Sequence, residues 1–182
     1  MTNEWLNAES LRRHSLDMRQ FIDFRESTLS NGMRVIDAHN SSGLTFTLLP
    51  DRGMDIWAAH YNGMPLTWIA PGSPHPSDYG RNWLSLFNGG LLTTCGLDHV
   101  GAPEDGRDLH GGYTRLRAAD LTLERSEQIL QLTATMHQSS LFGHQVTLTR
   151  TLSLPLGEPR FMLRDEVINR GDTPAPLMLL YH

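Results

Sequence analysis

The sequence predicts an all-β protein built mainly from antiparallel strands. Many short segments of the 182-residue chain alternate apolar and polar residues, which is typical of half-buried strands. Polar or Gly/Pro breaks of hairpin length separate these segments, and no βαβ rhythm of alternating strands and helices is present. These observations favour a sandwich or a barrel of antiparallel strands.

The elements can be assigned in chain order. A helix is predicted over residues 8–20, where Leu11, Ser15 and Met18 share a face between charged flanks. Residues 1–25 are therefore expected to form a helical or irregular extension at the N-terminus of a single domain, 1–182. Strands are predicted where two-residue periodicity or an apolar run is bounded by turn residues, over 33–38, 44–49, 55–61, 66–69, 116–124, 129–136, 146–154, 161–169 and 176–182.

Composition argues against several classes of protein. A net charge of −5 argues against a nucleic-acid partner, which needs a positive surface. No stretch approaches the roughly 20 consecutive apolar residues of a membrane span, and the first residues lack the pattern of a signal peptide. The single cysteine, Cys95, excludes an internal disulfide and fits a reducing compartment. A cytoplasmic protein without a membrane or nucleic-acid partner is expected.

Two histidines are candidate catalytic residues. His110 precedes Gly111 and Gly112, and this setting is unusual for a core residue because glycines leave space instead of filling it. His182 comes directly after an apolar strand, where the end of a domain is more typically a short polar tail. A histidine at a strand end is more often structural, so the role of His182 depends on its neighbours.

Arg52 is a candidate binding residue at a turn between two predicted strands. Either Arg52 and the flanking aspartates satisfy one another within the turn, or the guanidinium points into a cleft. In the second case its fixed fork of donors suits hydroxyl groups or a carboxylate.

Asp98 and His99 end a glycine-rich segment, 89–101, in which a ligand could approach the backbone closely. On a strand these neighbours would face opposite sides, so both could serve one site only from a loop. The Gly/Pro-rich loop 71–83 is expected to shape one wall of a cleft, and Arg81 within it is a further candidate binding residue.

Metal binding is a weaker interpretation of the same residues. His99, His110 and His182 could together form a three-histidine site. The sequence lacks short ligand spacings such as HxH, HxxxH or CxxC, and metal-free acid/base chemistry is favoured. It also lacks a phosphate-binding GxxxxGK[ST] loop and a GxSxG motif, and Cys95 has no activating pattern around it.

Four elements in order make the sequence resemble the galactose mutarotase-like proteins. They lie at residues 50–56, 90–97, 109–112 and 169–182, and the likeness extends over about residues 30–182. The chain is most similar to an aldose 1-epimerase-related branch that is largely of unknown function. The resemblance implies an antiparallel β-supersandwich with a sugar cleft on its concave face, incomplete here at the C-terminus.

The resemblance also implies an activity, the interconversion of sugar anomers. In aldose 1-epimerases one histidine lies in a Leu-His-Gly-Gly turn and a second lies on a later strand, and by position these match His110 and His182. The general base of that family is a glutamate near the end of a longer chain, which implies a base beyond residue 182. His182 would then protonate the ring oxygen of a monosaccharide or sugar derivative, His110 would orient or polarise the same region, and no cofactor is needed.

Two other functions remain open at this stage. One is a non-catalytic carbohydrate-binding or regulatory module, since this chain without a base would be inactive. The other is a metal-dependent sugar isomerase or lyase that uses the histidines as ligands. The open strand edges of an incomplete sandwich favour association with another chain, including formation of a homo-oligomer.

Overall fold

The computed structural model is mostly antiparallel β-sheet, as the sequence predicts, and it describes residues 5–71, 75–76 and 82–182. Its helices are α1 (Ala8–Arg12) and α2 (Trp83–Leu86), with 3-10 turns at Met18–Gln20 and Tyr113–Arg115. Its strands are β1 (Asp23–Thr28), β2 (Arg34–His39), β3 (Leu44–Leu49), β4 (Asp55–Tyr61), β5 (Met64–Pro65), β6 (Trp68–Ile69), β7 (Gly89–Gly90), β8 (Thr94–Leu97), β9 (Ala119–Arg125), β10 (Ile129–Ser139), β11 (Gln145–Pro155), β12 (Met162–Asn169) and β13 (Met178–Tyr181).

Two antiparallel sheets form the body of the described structure. One has the strand order β1-β2-β3-β4-β5 and the other has the order β12-β11-β10-β9. Phe24, Ile36 and Leu48 of the first sheet share one cluster of buried side chains with Leu132 and Leu148 of the second. Burying each such side chain contributes about 1.5–3 kcal/mol, so this shared core holds the sandwich together.

The long strands follow the predicted alternation closely. β3 and β4 have the predicted bounds, and β10 is buried at every second position through its central part. β1 was not predicted, because most of its residues are polar and exposed. Such an edge strand carries little hydrophobic periodicity to detect.

The prediction of a continuous helix over residues 8–20 is wrong beyond Arg12. Asn7 caps the start of α1, as the polar residue there permits. The Ser15 hydroxyl then donates to the carbonyl of Asp17 (3.1 Å) and accepts from its N–H (3.2 Å). Side-chain bonds of this kind compete with helical backbone bonds, so the chain turns before the 3-10 segment begins. No described helix is long and apolar enough to cross a membrane.

Two short strand pairings position the segments of the candidate site. β13 pairs antiparallel with β8, and β6 pairs antiparallel with β7. The first pairing brings residue 182 beside the glycine-rich segment 89–101. The second holds the chain on either side of the loop 71–83.

Candidate functional site

The Leu-His-Gly-Gly turn holds His110 in one orientation. The backbone N–H of His110 donates to the carbonyl of Gly101 (2.9 Å), and its carbonyl accepts from the N–H of Gly96 (3.0 Å). The imidazole Nδ1 accepts from the N–H of Gly101 (3.2 Å). His110 has a φ of 57°, a left-handed conformation uncommon for residues other than glycine. Such conformations persist where the surrounding structure imposes them, which occurs most often at functional sites.

The glycine after His110 is required by a close approach of two segments. Gly111 has a φ of 77°, and a Cβ there would lie 2.4 Å from the carbonyl oxygen of His99 and 2.6 Å from that of Gly96. Both distances are far below a normal contact. Glycine therefore lets the turn lie directly against β8, the strand that pairs with β13.

His182 continues the pairing of β13 with the segment before β8. Its N–H donates to the carbonyl of Thr93 (2.8 Å), and its carbonyl accepts from the N–H of Thr93 (3.0 Å). The imidazole rings of His182 and His110 have centroids 5.7 Å apart. The structure thus brings together the two predicted catalytic histidines.

Helix α2 adds an aromatic wall to this pair. The ring of Trp83 lies 4.8 Å from that of His110 and 5.6 Å from that of His182. The ring of Phe87 lies 5.3 Å from that of His182 and stacks on Trp83 at 4.8 Å. We call these four side chains the histidine–aromatic cluster. Sequence reasoning missed both aromatics, although Asn82, a helix-capping residue, followed by aromatics four positions apart indicates a short helix with one aromatic face.

Asp108 connects α2 to the Leu-His-Gly-Gly turn through hydrogen bonds. Its Oδ2 accepts from the N–H of Trp83 (2.9 Å) and from Nη1 of Arg115 (2.7 Å), and its Oδ1 accepts from the N–H of Leu109 (2.8 Å). Burial raises the pKa of Asp108, but the bonds from Arg115 and the two N–H groups outweigh it and hold the pKa below its ordinary value. The ionised carboxylate therefore keeps Trp83 against His110.

Arg52 lies behind the cluster and not on its surface. Its side chain is 1% exposed, with Nη1 donating to the carbonyl of Leu86 (2.7 Å) and Nη2 donating to the hydroxyl of Thr114 (3.2 Å). The residue therefore supports the end of α2 from within the protein. Its predicted role as a sugar contact gains no support from these contacts and stays a prediction.

Asp98 and His99 point in different directions. Asp98 accepts from the side-chain amide of Gln138 on β10, whereas His99 is buried with Nε2 bonded to the carbonyl of Ala102 (2.7 Å). The ring of His99 is therefore already engaged. A shared role for this pair stays a prediction, and Arg81 lies outside the described residues.

The contact at Nδ1 fixes the tautomer of neutral His110. Because Nδ1 accepts from the N–H of Gly101, the ring proton is on Nε2. The half-buried imidazole can therefore donate a hydrogen bond through Nε2. His182 is exposed beside it.

The family of this chain is established by a match to a protein-family model. Residues 30–182 match a domain of unknown function, DUF4432. The chain belongs to this family. No match was found among curated proteins.

Solved structures similar to this DUF4432 member share its fold. One, assigned as an aldose 1-epimerase from Klebsiella pneumoniae, is 24% identical with a TM-score of 0.77; the match covers 87% of this chain and 46% of that protein. Another, a galactose 1-epimerase from Lactobacillus acidophilus, is 14% identical with a TM-score of 0.54; the match covers 81% of this chain and 48% of that protein. The DUF4432 chain thus has the predicted mutarotase-like β-sandwich fold and spans about half the length of these structures.

Metal ligands do not converge in the part of the DUF4432 chain that the structure describes. No group of three or more His, Cys, Asp or Glu side chains there is arranged to hold an ion. His99, one of the three histidines considered for such a site, uses Nε2 to bond the carbonyl of Ala102.

The titration of His110 gives a first prediction for this DUF4432 protein. Burial, with smaller contributions from the charges of His182 and His99, lowers the pKa of His110 below its ordinary 6.5. Between the lowered pKa and 6.5 the unfolded chain binds more protons than the folded one. The contribution of His110 to stability is therefore present above pH 6.5 and is lost as the pH falls through its folded-state pKa.

An NMR titration of the imidazole Hε1 protons should show this directly. We expect the pKa of His110 to lie below 6.5 and to rise in His182→Ala, because one repelling charge is removed. His60→Ala, a change at an exposed histidine of β4, serves as the control and should leave the titration of His110 unchanged. A His110 titration at or above 6.5 in the native protein would contradict this electrostatic description.

Proposed function

We propose that this chain supplies the sugar-binding and proton-donating part of an isomerase similar to aldose 1-epimerases, acting on a monosaccharide or sugar derivative. The observation that carries the proposal is the approach of His110 and His182 to 5.7 Å beside Trp83 and Phe87. Aromatic surface with a few placed polar groups is the usual composition of a small-molecule site. The resemblance of the sequence and the fold of the neighbouring structures agree with this assignment.

The proposed reaction opens and recloses a cyclic hemiacetal. A base takes the proton of the anomeric hydroxyl, the C1–O1 bond becomes a carbonyl, and the bond from C1 to the ring oxygen breaks. The ring oxygen takes a proton from His182, because histidine is the side chain most often used as a general acid. His110 donates a hydrogen bond through Nε2 and polarises the same oxygen. Rotation about C1–C2 and the reverse steps give the other anomer and restore both proton carriers.

The base is proposed to be a glutamate beyond residue 182. Among the described residues no carboxylate is hydrogen-bonded to either imidazole of the cluster. The resemblance implies a glutamate base in a later part of a longer chain, and the matched structures are about twice as long as this chain. A cytoplasmic location and self-association also stay predictions.

The test compares two proteins, the 182-residue chain and the product of the longest reading frame that contains it. NMR exchange spectroscopy measures the interconversion of anomers for a panel of aldoses, and saturation transfer measures binding. We expect the longer product to accelerate exchange and to lose that acceleration when His182 is replaced. An active 182-residue chain would overturn the assignment of the base. If neither protein accelerates exchange, the isomerase proposal fails.

Two further outcomes separate the other functions. Sugar binding without exchange in either protein would favour a carbohydrate-binding or regulatory module. Exchange, isomerisation or elimination that disappears with a chelator and returns with a divalent metal would favour a metal-dependent enzyme. The metal-free proposal expects the rate to be unchanged by chelation.

A further inference from the structure

An ionic network around the buried side chain of Arg150 lies on the opposite side of β13 from the histidine–aromatic cluster. The hydroxyl of Tyr181 donates to Oδ2 of Asp165 at 2.6 Å. Asp165 also accepts from Nε (2.8 Å) and Nη2 (2.7 Å) of Arg150, whose side chain is fully buried. The same Nη2 donates to the hydroxyl of Thr94 (3.0 Å). Thr94 is the residue of β8 that pairs with Tyr181 in the β13–β8 ladder.

These contacts form a closed circuit. Tyr181 is tied through Asp165 to Arg150, and Arg150 is tied to Thr94, the ladder partner of Tyr181. Both strands are thereby fixed to one guanidinium group. That group also donates through Nη1 to the carbonyls of Gly53 (3.2 Å) and Met54 (3.3 Å) and therefore cannot move freely.

β13 gains a side-chain link from this circuit in addition to its ladder bonds. In the described ranges it pairs with β8 alone, over four residues, and then with Thr93 through His182. Successive side chains on a strand face opposite sides, so Tyr181 reaches the ionic network while His182 reaches Trp83 and Phe87.

We infer that Tyr181 is a positioning residue for His182, because its hydroxyl bond to Asp165 fixes the end of β13 and so holds the His182 imidazole in the histidine–aromatic cluster. The inference rests on the proposed function, in which His182 is the proton donor. Burial, with the bond to ionised Asp165, raises the pKa of Tyr181 to about 12, so the phenol is protonated and donates at neutral pH. In this inference Tyr181 acts through its neighbour.

Tyr181→Phe tests the inference with little risk to folding. It keeps the aromatic ring, whose centroid lies 6.0 Å from the guanidinium carbon of Arg150, and removes only the hydroxyl. Tyr61→Phe, at an exposed tyrosine of β4, is the matched control. We expect Tyr181→Phe to shift and broaden the Hε1 resonance of His182 and to speed amide hydrogen exchange at Thr93 and His182. The control should change neither.

Kinetics add a second readout in the protein that is active. Small misplacements of a catalytic group lower the rate of the chemical step strongly, so kcat should fall by about 10- to 100-fold while KM stays near its original value. An unchanged His182 resonance with unchanged local exchange would overturn the inference. Exchange that speeds equally throughout the sandwich would also overturn it, since the hydroxyl would then be merely structural.

Failure of the proposed function and failure of the positioning inference give different results. If the native protein does not interconvert anomers, the proposed function fails, yet the His182 resonance and the local amide exchange still decide whether Tyr181 positions this residue. If the native protein is active and Tyr181→Phe matches it in kcat and in the His182 resonance, the positioning inference alone fails.

Discussion

His182→Ala should lower the rate of anomer exchange by about 10²- to 10⁴-fold in the active protein, the range of general acid catalysis by a placed side chain. Ring opening needs a proton on the departing ring oxygen. His110 is a poor replacement for this donor, because its lowered pKa keeps the ring neutral near pH 7 and a neutral imidazole is a weak acid at Nε2. The loss should appear in kcat, since the variant keeps His110 and the aromatic side chains that are proposed to bind the sugar.

The measurement is exchange spectroscopy on an equilibrated aldose, with His60→Ala as the control at an exposed histidine. Chemical-shift comparison of backbone amides would show that the fold of His182→Ala is intact. A rate within a few-fold of the native value in a folded variant would show that His182 is not the proton donor. A large rise in KM with unchanged kcat would instead show that His182 binds the sugar equally strongly in the ground state and in the transition state.

The strands that could be predicted are those that bury one face against the shared core. β3 matches its predicted bounds because apolar and polar residues alternate along it, and β4 matches because turn residues bound it. β10 and β11 were recognised from the alternation in their sequences, although each extends beyond its prediction. Hydrophobic periodicity depends only on neighbouring residues along the chain. It therefore predicts strands that bury alternate side chains.

The site could be predicted only in part, because it is assembled by contacts between distant segments. The pairing of His182 with Thr93 and the approach of Gly111 to Gly96 bring the two histidines together. Neither contact leaves a periodic signal in the sequence. The histidines were predicted from the glycine-flanked turn and the resemblance. Trp83 and Phe87 were not predicted, because they lie at the end of a loop-like segment and just after it.

Arg52 shows that the sequence alone does not specify how a charged side chain of a turn is packed. An arginine in a turn with two aspartates suggested either local pairing or a role in a cleft. The structure instead buries Arg52 beneath α2, while Asp51 bonds Arg34 and Asp55 lies near Arg150. Long side chains can reach inward from a turn, and the sequence alone does not specify that direction.

Asp165→Ala should lower the free energy of unfolding by about 3–5 kcal/mol, the usual cost of leaving one partner of a buried ion pair uncompensated. Arg150 has a fully buried side chain, and Asp165 accepts both of its short carboxylate bonds. Asp55 is a weak substitute, because it lies 3.7 Å from Nη1 and burial raises its pKa to about 6, which shows that its charge is costly there.

Urea unfolding of native protein and variant measures this difference. Glu166→Ala is the matched control, since it removes a carboxylate from the next, exposed position of β12 and should change stability by less than about 0.5 kcal/mol. The double variant Arg150→Met/Asp165→Leu removes both charges and should recover much of the lost stability. A loss below about 1 kcal/mol in Asp165→Ala would show that Asp55 and the carbonyls of Gly53 and Met54 suffice to hold the guanidinium, and β13 would then be anchored mainly by its ladder with β8.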